Sequence, residues 1–195
     1  MKLNFFTKLF KHMPQLETDR LIFRAIKRSD VKDMYEYSSN PLTSKYLLWE
    51  AHKDIDYTKK FIDIVLSKYK SGEYNDWAII HKEDNKMIGT CGFTRIDDEN
   101  STVEIGYVLS PKYWGRGLAT EATRKVVEFA FEQLSVNRVE ARFLFGNDAS
   151  LNVMRKIGMK LEGYFRDSML VKGKLKTVGV ASILRREYLL LDKYD

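Results

Sequence analysis

The sequence predicts a mixed α/β fold, of the α+β kind, with a mostly antiparallel sheet flanked by helices. Three observations predict it. Short apolar runs bounded by polar turns alternate with amphipathic helical stretches. Their order is strand, two helices, three strands, helix, strand, helix and two strands, the pattern of a layered α/β chain. A glycine-bearing junction, Gly115-Arg116-Gly117, carries one strand directly into a well-marked helix.

Leu21 to Arg24 reads as the first strand. Ser29 to Ser39 reads as a short helix that ends before Pro41. Ile55, Phe61, Ile62, Val65, Leu66 and Tyr69 recur at helical spacing, which predicts a second helix over Asp54 to Lys70. Trp77 to His81 and Met87 to Arg95 read as the two strands of a hairpin around the polar turn Lys82-Glu83-Asp84-Asn85-Lys86. A second polar turn, Asp97-Asp98-Glu99-Asn100, precedes a strand over Val103 to Leu109. The helix after the glycine junction runs from Ala119 to Leu134. Ala119, Ala122, Val126, Ala130 and Leu134 form its apolar face, with Phe129 and Phe131 beside it. Glu121 with Lys125, and Arg124 with Glu128, read as four-residue charge pairs on its outside. Arg138 to Phe145 reads as a strand. Asn147 or Asp148 caps a short helix ending at Gly158, a residue suited to a left-handed C-terminal cap. Two last strands are expected near Ser168 to Val171 and Thr177 to Leu184, joined by the turn Lys172-Gly173-Lys174.

A chain of 195 residues fits one domain. Residues 1–14 read as a basic, apolar N-terminal extension ahead of a single domain over 15–195. With 44% hydrophobic and 13% aromatic residues, the chain builds a core rather than remaining disordered. No apolar run approaches the roughly 20 residues of a membrane span. The segment Met1 to His12 lacks a long apolar run and a small-residue cleavage site. It reads as an extra helix or arm, with a membrane-surface or partner-binding role as the alternative. The net charge of +6 suits an anionic ligand or a ribosomal partner. The basic residues are scattered without an RNA-binding motif, so direct contact with nucleic acid is not expected. Cys91 is the only cysteine, which excludes an internal disulfide and fits a reducing cytoplasm. It lies inside the apolar run Met87 to Phe93 and reads as a buried small hydrophobe. His52 and His81 are isolated, and no Cys/His cluster suggests a metal site.

The glycine junction carries the strongest chemical signal. The first N–H groups of a helix have no intrahelical partner, and the helix dipole adds positive potential there. Glycine lets the backbone approach a phosphate without a side chain between them. A tight strand-to-helix turn is the structural alternative.

Trp114-Gly115-Arg116-Gly117-Leu118-Ala119, then Asn147-Asp148-Ala149-Ser150 and Lys156-Ile157-Gly158-Met159, stand in an order that resembles the GNAT superfamily of acyl-CoA N-acyltransferases, over roughly Gln15 to Arg186. Within it they are most similar to the branch containing the Rim-type ribosomal-protein N-terminal acetyltransferases. Trp114-Gly115-Arg116-Gly117-Leu118-Ala119 resembles the pyrophosphate motif Gln/Arg-x-x-Gly-x-Gly/Ala, with Trp114 in the first place as is frequent in this branch. Thr120-Glu121-Ala122 extends the match. Val103 to Leu109 resembles the family's fourth strand. Asn147-Asp148-Ala149-Ser150, then Lys156-Ile157-Gly158-Met159 and Leu161-Glu162-Gly163, resemble the later motif. Glu17-Thr18-Asp19-Arg20-Leu21 resembles the usual opening.

The resemblance implies a sheet whose central strands splay apart and acetyl-CoA as cosubstrate, without a metal. It implies that Arg116, Gly117, Leu118, Ala119 and Thr120 hold the pyrophosphate. Val108 and Leu109 would offer backbone groups to the pantetheine arm, one N–H facing the thioester carbonyl. Asn147 would contact the same arm, cap the short helix, or do both. Ser150 would donate to the departing CoA sulfur, with a first-turn serine as the structural alternative. Glu104 is the candidate base, because an ammonium must lose a proton before it attacks a carbonyl. Its alternative is a salt-bridged strand residue. A later glutamate proposed as base in one Rim-type pattern falls near Met169 here. Trp49, near Tyr46, Glu50 and His52, is the candidate wall of the acceptor cleft. The acceptor implied is a protein N-terminal α-amine. A polyamine, amino sugar or antibiotic is the runner-up, and a non-catalytic acyl-CoA-binding module is the rival class. A homodimer is left open.

Overall fold

The computed structural model describes residues 8–73 and 75–191. Residues 1–7 of the expected N-terminal extension lie outside them. Eight strands form one sheet in the order β1-β2-β3-β4-β5-β6-β8-β7. They are β1 (Leu16–Glu17), β2 (Leu21–Arg24), β3 (Asp76–His81), β4 (Lys86–Asp97), β5 (Thr102–Leu109), β6 (Arg138–Leu144), β7 (Lys160–Val171) and β8 (Lys174–Leu184). The helices are α1 (Val31–Ser38), α2 (Pro41–Ser44), α3 (Ile55–Ser71), α4 (Leu118–Glu132), α5 (Asp148–Lys156) and α6 (Arg185–Leu191). Six of the seven junctions between neighbouring strands are antiparallel; the exception is β5–β6, which is parallel.

The helices begin and end where side chains can satisfy their backbone. Asp54 caps α3 by accepting from the Tyr57 N–H at 2.7 Å, and Asn147 caps α5 by accepting from the Ser150 N–H at 3.3 Å. At the end of α5, Gly158 takes φ +86°, the left-handed conformation glycine enters without strain. Its N–H bonds to the Arg155 carbonyl and the Met159 N–H to the Met154 carbonyl, a Schellman closure.

Alternation along β3 divides the core into two layers. Trp77 and Ile79 face α4, joining Leu118, Ala122, Val126 and Ala130. Ala78 and Ile80 face the other way, joining Met34 and Tyr37 of α1 and Ile62, Val65 and Tyr69 of α3. Phe10 is buried in the first layer, edge-on to Trp77 and Phe93. Cys91 is buried in that layer as well, and desolvation holds its thiol far above the ordinary value.

Two expectations require correction. The first of the last two strands begins at Lys160, not near Ser168. Most of β7 is exposed on both faces, so no apolar alternation marks it; register shifts at Leu161/Gly163 and Phe165/Met169 break the pattern further. The expected charge pairs on α4 are also rewired. Glu121 pairs with Arg20 at 2.6 Å, Lys125 turns to Glu128, and Arg124 donates to the Lys156 carbonyl at 3.3 Å. A guanidinium with several donors in a fixed fork outcompetes a flexible lysine for the same carboxylate.

Candidate active site

The turn Pro111–Tyr113 and the segment Trp114-Gly115-Arg116-Gly117 link β5 to α4. Gly115 and Gly117 have φ of +74° and +78°, which other residues reach at a cost of about 1–2 kcal/mol. Gly117 is the N-cap and brings no capping side chain. The Glu121 N–H bonds back to the Gly117 carbonyl at 3.0 Å, so Leu118, Ala119 and Thr120 begin the helix with N–H groups that lack an intrahelical partner. A Cβ built on Gly115 would meet nothing within 4 Å, and one on Gly117 only the Arg20 Nη2 at 3.5 Å. Packing inside the protein therefore does not demand these glycines. The open space above them fits a phosphate approaching the backbone. The Arg116 guanidinium lies over the Tyr113 ring, 5.2 Å from its centroid.

The parallel pairing of β5 with β6 runs from Thr102–Arg138 to Ile105–Ala141 and stops there. Beyond Ile105 the strands diverge, and a cleft of about 610 Å³ opens between them. It runs from the glycine turn, past Ser150 and Asn147, to Glu104. The one register shift along β5 lies opposite it, in β4 between Phe93 and Arg95. The Ser110 N–H donates to the Ile88 carbonyl at 2.7 Å. By the alternation of an antiparallel ladder, Val108 then turns its backbone groups to β4, while Tyr107 and Leu109 turn theirs to the open side. The Leu109 carbonyl accepts the Trp114 indole N–H at 2.9 Å. Of the two residues expected to offer backbone groups here, Leu109 turns them to the cleft and Val108 turns them to β4.

On the opposite wall, Asn147 spends its side-chain oxygen on the α5 cap. The Tyr107 hydroxyl lies 2.8 Å from Ser150 Oγ and 3.0 Å from the Ser150 carbonyl oxygen. Burial pushes the Tyr107 phenol well above its ordinary pKa. The sequence reading passed over Tyr107; its place two residues before Leu109, on the same side of the strand, was the available signal.

Glu104 stands at the last paired stretch of β5, its side chain 18% exposed. One oxygen pairs with Arg142 Nε at 3.0 Å, and the other accepts from Thr94 Oγ1 at 2.9 Å. Arg142 also reaches Glu140 at 3.5 Å, and Arg138 joins Glu140 to Glu162. Two lone pairs per oxygen leave Glu104 able to accept a further hydrogen bond. Thr94 and Arg142 were not foreseen, because their relation to Glu104 exists only across strands.

At this end the cleft is walled by Leu42, Tyr46 and Leu48, which follow α1, and by Met169 of β7. Lys172 in the β7–β8 turn ties the two walls together by donating to the Ser44 carbonyl at 2.7 Å. Trp49 is not among the cleft residues. Its ring packs against His52 at 5.4 Å, and His52 is itself buried between Ser38 and Thr58. Desolvation lowers the His52 pKa. Among the described residues, no group of three His, Cys, Asp or Glu side chains is placed to hold a metal. No helix among them is long and apolar enough to cross a membrane.

Comparison with known proteins gives a consistent picture. Residues 20–160 match the model of the acetyltransferase (GNAT) domain family. The chain is 36% identical over 176 residues to an uncharacterized N-acetyltransferase, p20, of Bacillus licheniformis, covering 90% of this chain and 99% of that one. It is 35% identical over 105 residues to a putative ribosomal N-acetyltransferase, YdaF, of Bacillus subtilis, covering 54% and 57%. A more distant relative, the spermidine N(1)-acetyltransferase of Escherichia coli, is 20% identical over 91% of both chains. The fold superposes on a GNAT-family acetyltransferase structure from Bacillus anthracis with a TM-score of 0.79 at 27% identity, covering 89% of this chain and 100% of that one. A glycine turn at a helix start, a parted pair of central strands and a carboxylate at their junction are thus found in a chain that belongs to the GNAT family and is an N-acetyltransferase.

Proposed function

We propose that this enzyme moves the acetyl group of acetyl-CoA to a protein N-terminal α-amine. The observation that carries the acceptor choice is the charge of the cleft. Among the described residues that line it, Glu104 is the only carboxylate, against Lys45, Arg142 and Lys156. A polyamine carries several cations and needs several carboxylates; this wall suits an acceptor with a single ammonium. Leu42, Leu48 and Met169 offer apolar surface to the residues behind it. The likeness to a putative ribosomal N-acetyltransferase supports the same reading. The distant spermidine enzyme supports the small-amine alternative, which the cleft charge disfavours.

In this reading the pyrophosphate rests on the N–H groups of Leu118, Ala119 and Thr120. The arm lies along the open side of β5, and the Leu109 N–H polarises the thioester carbonyl. Glu104, directly or through water, takes the ammonium proton, and the amine attacks the carbonyl. The tetrahedral adduct collapses, the C–S bond breaks, and Ser150 donates a hydrogen bond to the sulfur that leaves.

The test is a CoA-release screen over peptides with free and N-acetylated α-amines, polyamines and aminoglycosides, with products identified by mass spectrometry. Acetylation confined to free peptide α-amines is expected. Turnover of spermidine but of no peptide would overturn the acceptor assignment, and CoA binding without any acetyl transfer would overturn the mechanism.

A further inference from the structure

Ser150 has one proton, and in the structure that proton has a competing destination. The Ser150 carbonyl oxygen only accepts hydrogen bonds. A Tyr107 phenol that donates to this carbonyl, at 3.0 Å, must accept from Ser150 Oγ, at 2.8 Å. In that state the serine proton is spent on Tyr107 and only lone pairs face a sulfur. The second state is reached by rotating two O–H bonds, with no heavy atom moved. Tyr107 gives its proton to Ser150 Oγ, and the serine proton turns into the cleft. A phenolic donor on Oγ also polarises the serine hydroxyl and strengthens it as a donor. Tyr107 and Ser150 both line the cleft.

We propose that Tyr107 is a positioning residue that aims the Ser150 hydroxyl at the departing CoA sulfur by shifting its own hydrogen bond from the Ser150 carbonyl to Ser150 Oγ. The inference rests on the acetyl-transfer reading and deepens it. The amine nitrogen forms the C–N bond. The C–S bond breaks and its electron pair goes to sulfur. The resulting thiolate is held by the Ser150 O–H and takes its proton from solvent, which also receives both protons shed by the acceptor nitrogen, the one Glu104 removes before attack and the one lost as the adduct becomes the amide. Neither hydroxyl loses its proton, in keeping with the high pKa that burial imposes on Tyr107.

The experiment compares the wild type with Tyr107→Phe, Ser150→Ala and the double variant, each checked for folding by thermal unfolding. Tyr107→Phe is expected to lower kcat about tenfold, the size of one strong hydrogen bond, with KM for acetyl-CoA within about twofold. The double variant is expected to match Ser150→Ala, because Tyr107 acts only through the serine. Additive losses, or a loss confined to KM, would overturn the inference. Site-specific 3-fluorotyrosine at position 107 keeps the packing and sharpens the donor, so kcat should rise; an unchanged kcat counts against the proposal even if Tyr107→Phe fails to fold. Calorimetry with CoA and desulfo-CoA at pH 9 gives a readout that needs no turnover. The wild type should prefer CoA by about fivefold, one hydrogen bond to a thiolate, and Tyr107→Phe, whose serine hydroxyl is no longer held by a donor on Oγ, should keep less than half of that preference. Retention of half or more of it in Tyr107→Phe overturns the inference and leaves the acetyl-transfer reading intact. Wild-type enzyme that binds CoA with this preference but acetylates no amine overturns the functional reading and leaves the hydroxyl geometry supported.

Discussion

Arg20 and Glu121, a hundred residues apart in sequence, clamp the glycine turn from behind. Arg20 donates through Nε to Glu121 at 2.7 Å and through Nη1 to the Arg116 carbonyl at 2.9 Å, while Thr18 donates to the other Glu121 oxygen at 2.7 Å. The opening residues of the domain thus hold the turn that would receive the pyrophosphate. Because this clamp is partly exposed, its loss should disturb the turn more than the core. Arg20→Ala is expected to weaken acetyl-CoA binding about fivefold, the upper range for an exposed ion pair, with a small change in the thermal midpoint. Calorimetry with acetyl-CoA measures it; unchanged affinity would show that the turn holds its shape unaided.

Gly117→Ala places a Cβ on a residue with φ +78° where no atom lies closer than 3.5 Å. The cost is backbone strain, about 1–2 kcal/mol, unless the turn relaxes. Relaxation would swing the helix-start N–H groups away from a phosphate. The expected result is a raised KM for acetyl-CoA with kcat at saturation preserved. A fall in kcat alone would contradict the anion role of this turn.

Glu104→Gln keeps the shape and the Thr94 contact but removes the proton acceptor. A drop in kcat of about a hundredfold at neutral pH is expected, with acetyl-CoA affinity unchanged. Full activity in this variant would move the base elsewhere and leave Glu104 as the partner of Arg142.

Gly89→Ala tests the β4–β5 junction beside the cleft. The added Cβ would lie 2.0 Å from the Val108 carbonyl oxygen, a backbone atom that cannot swing aside. A loss of about 3 kcal/mol or more in chemical denaturation is expected, since overpacking against backbone forces strand movement. A loss under about 1 kcal/mol would mean that the two strands separate more easily than their pairing suggests.

His52 makes stability depend on acidity. Burial lowers its pKa below the usual 6.5, so the unfolded chain binds a proton that the folded chain refuses. Its contribution is complete above pH 6.5 and is lost as pH falls through the folded value. Thermal midpoints should fall more steeply between pH 7 and 5 in the wild type than in His52→Asn, whose amide keeps a neutral polar partner for the Ser38 and Thr58 hydroxyls. Parallel pH profiles would refute the assignment.

Elements that bury a periodic stripe or a continuous apolar run were legible in the sequence. α4 shows its apolar stripe, and β3 and β4 show their hairpin. β7 was half missed because an exposed edge strand buries little and leaves no period to read. In the candidate site, features of the local backbone were legible: the positive φ of Gly115 and Gly117 from their type, and Asn147 as a cap from its place before a helix. The partners of the candidate side chains were not. Tyr107 reaches Ser150, Arg142 reaches Glu104, and Arg20 reaches Glu121 across elements whose contact no local pattern encodes. Trp49 packs on His52 outside the cleft lining, and a tryptophan near a cleft and one packed on a histidine look alike in one dimension.

The parallel seam between β5 and β6 has a mechanical consequence. Only four residue pairs, Thr102–Arg138 to Ile105–Ala141, stitch the first five strands to the last three. A ligand lying along the open side of β5 would lengthen that seam from the outside and stiffen the hinge it forms. Amide hydrogen exchange at Tyr107 and Leu109, whose backbone groups face the open side, should therefore be fast in the ligand-free protein and slow when CoA is bound, while the β3–β4 hairpin, already paired, should exchange at the same rate in both.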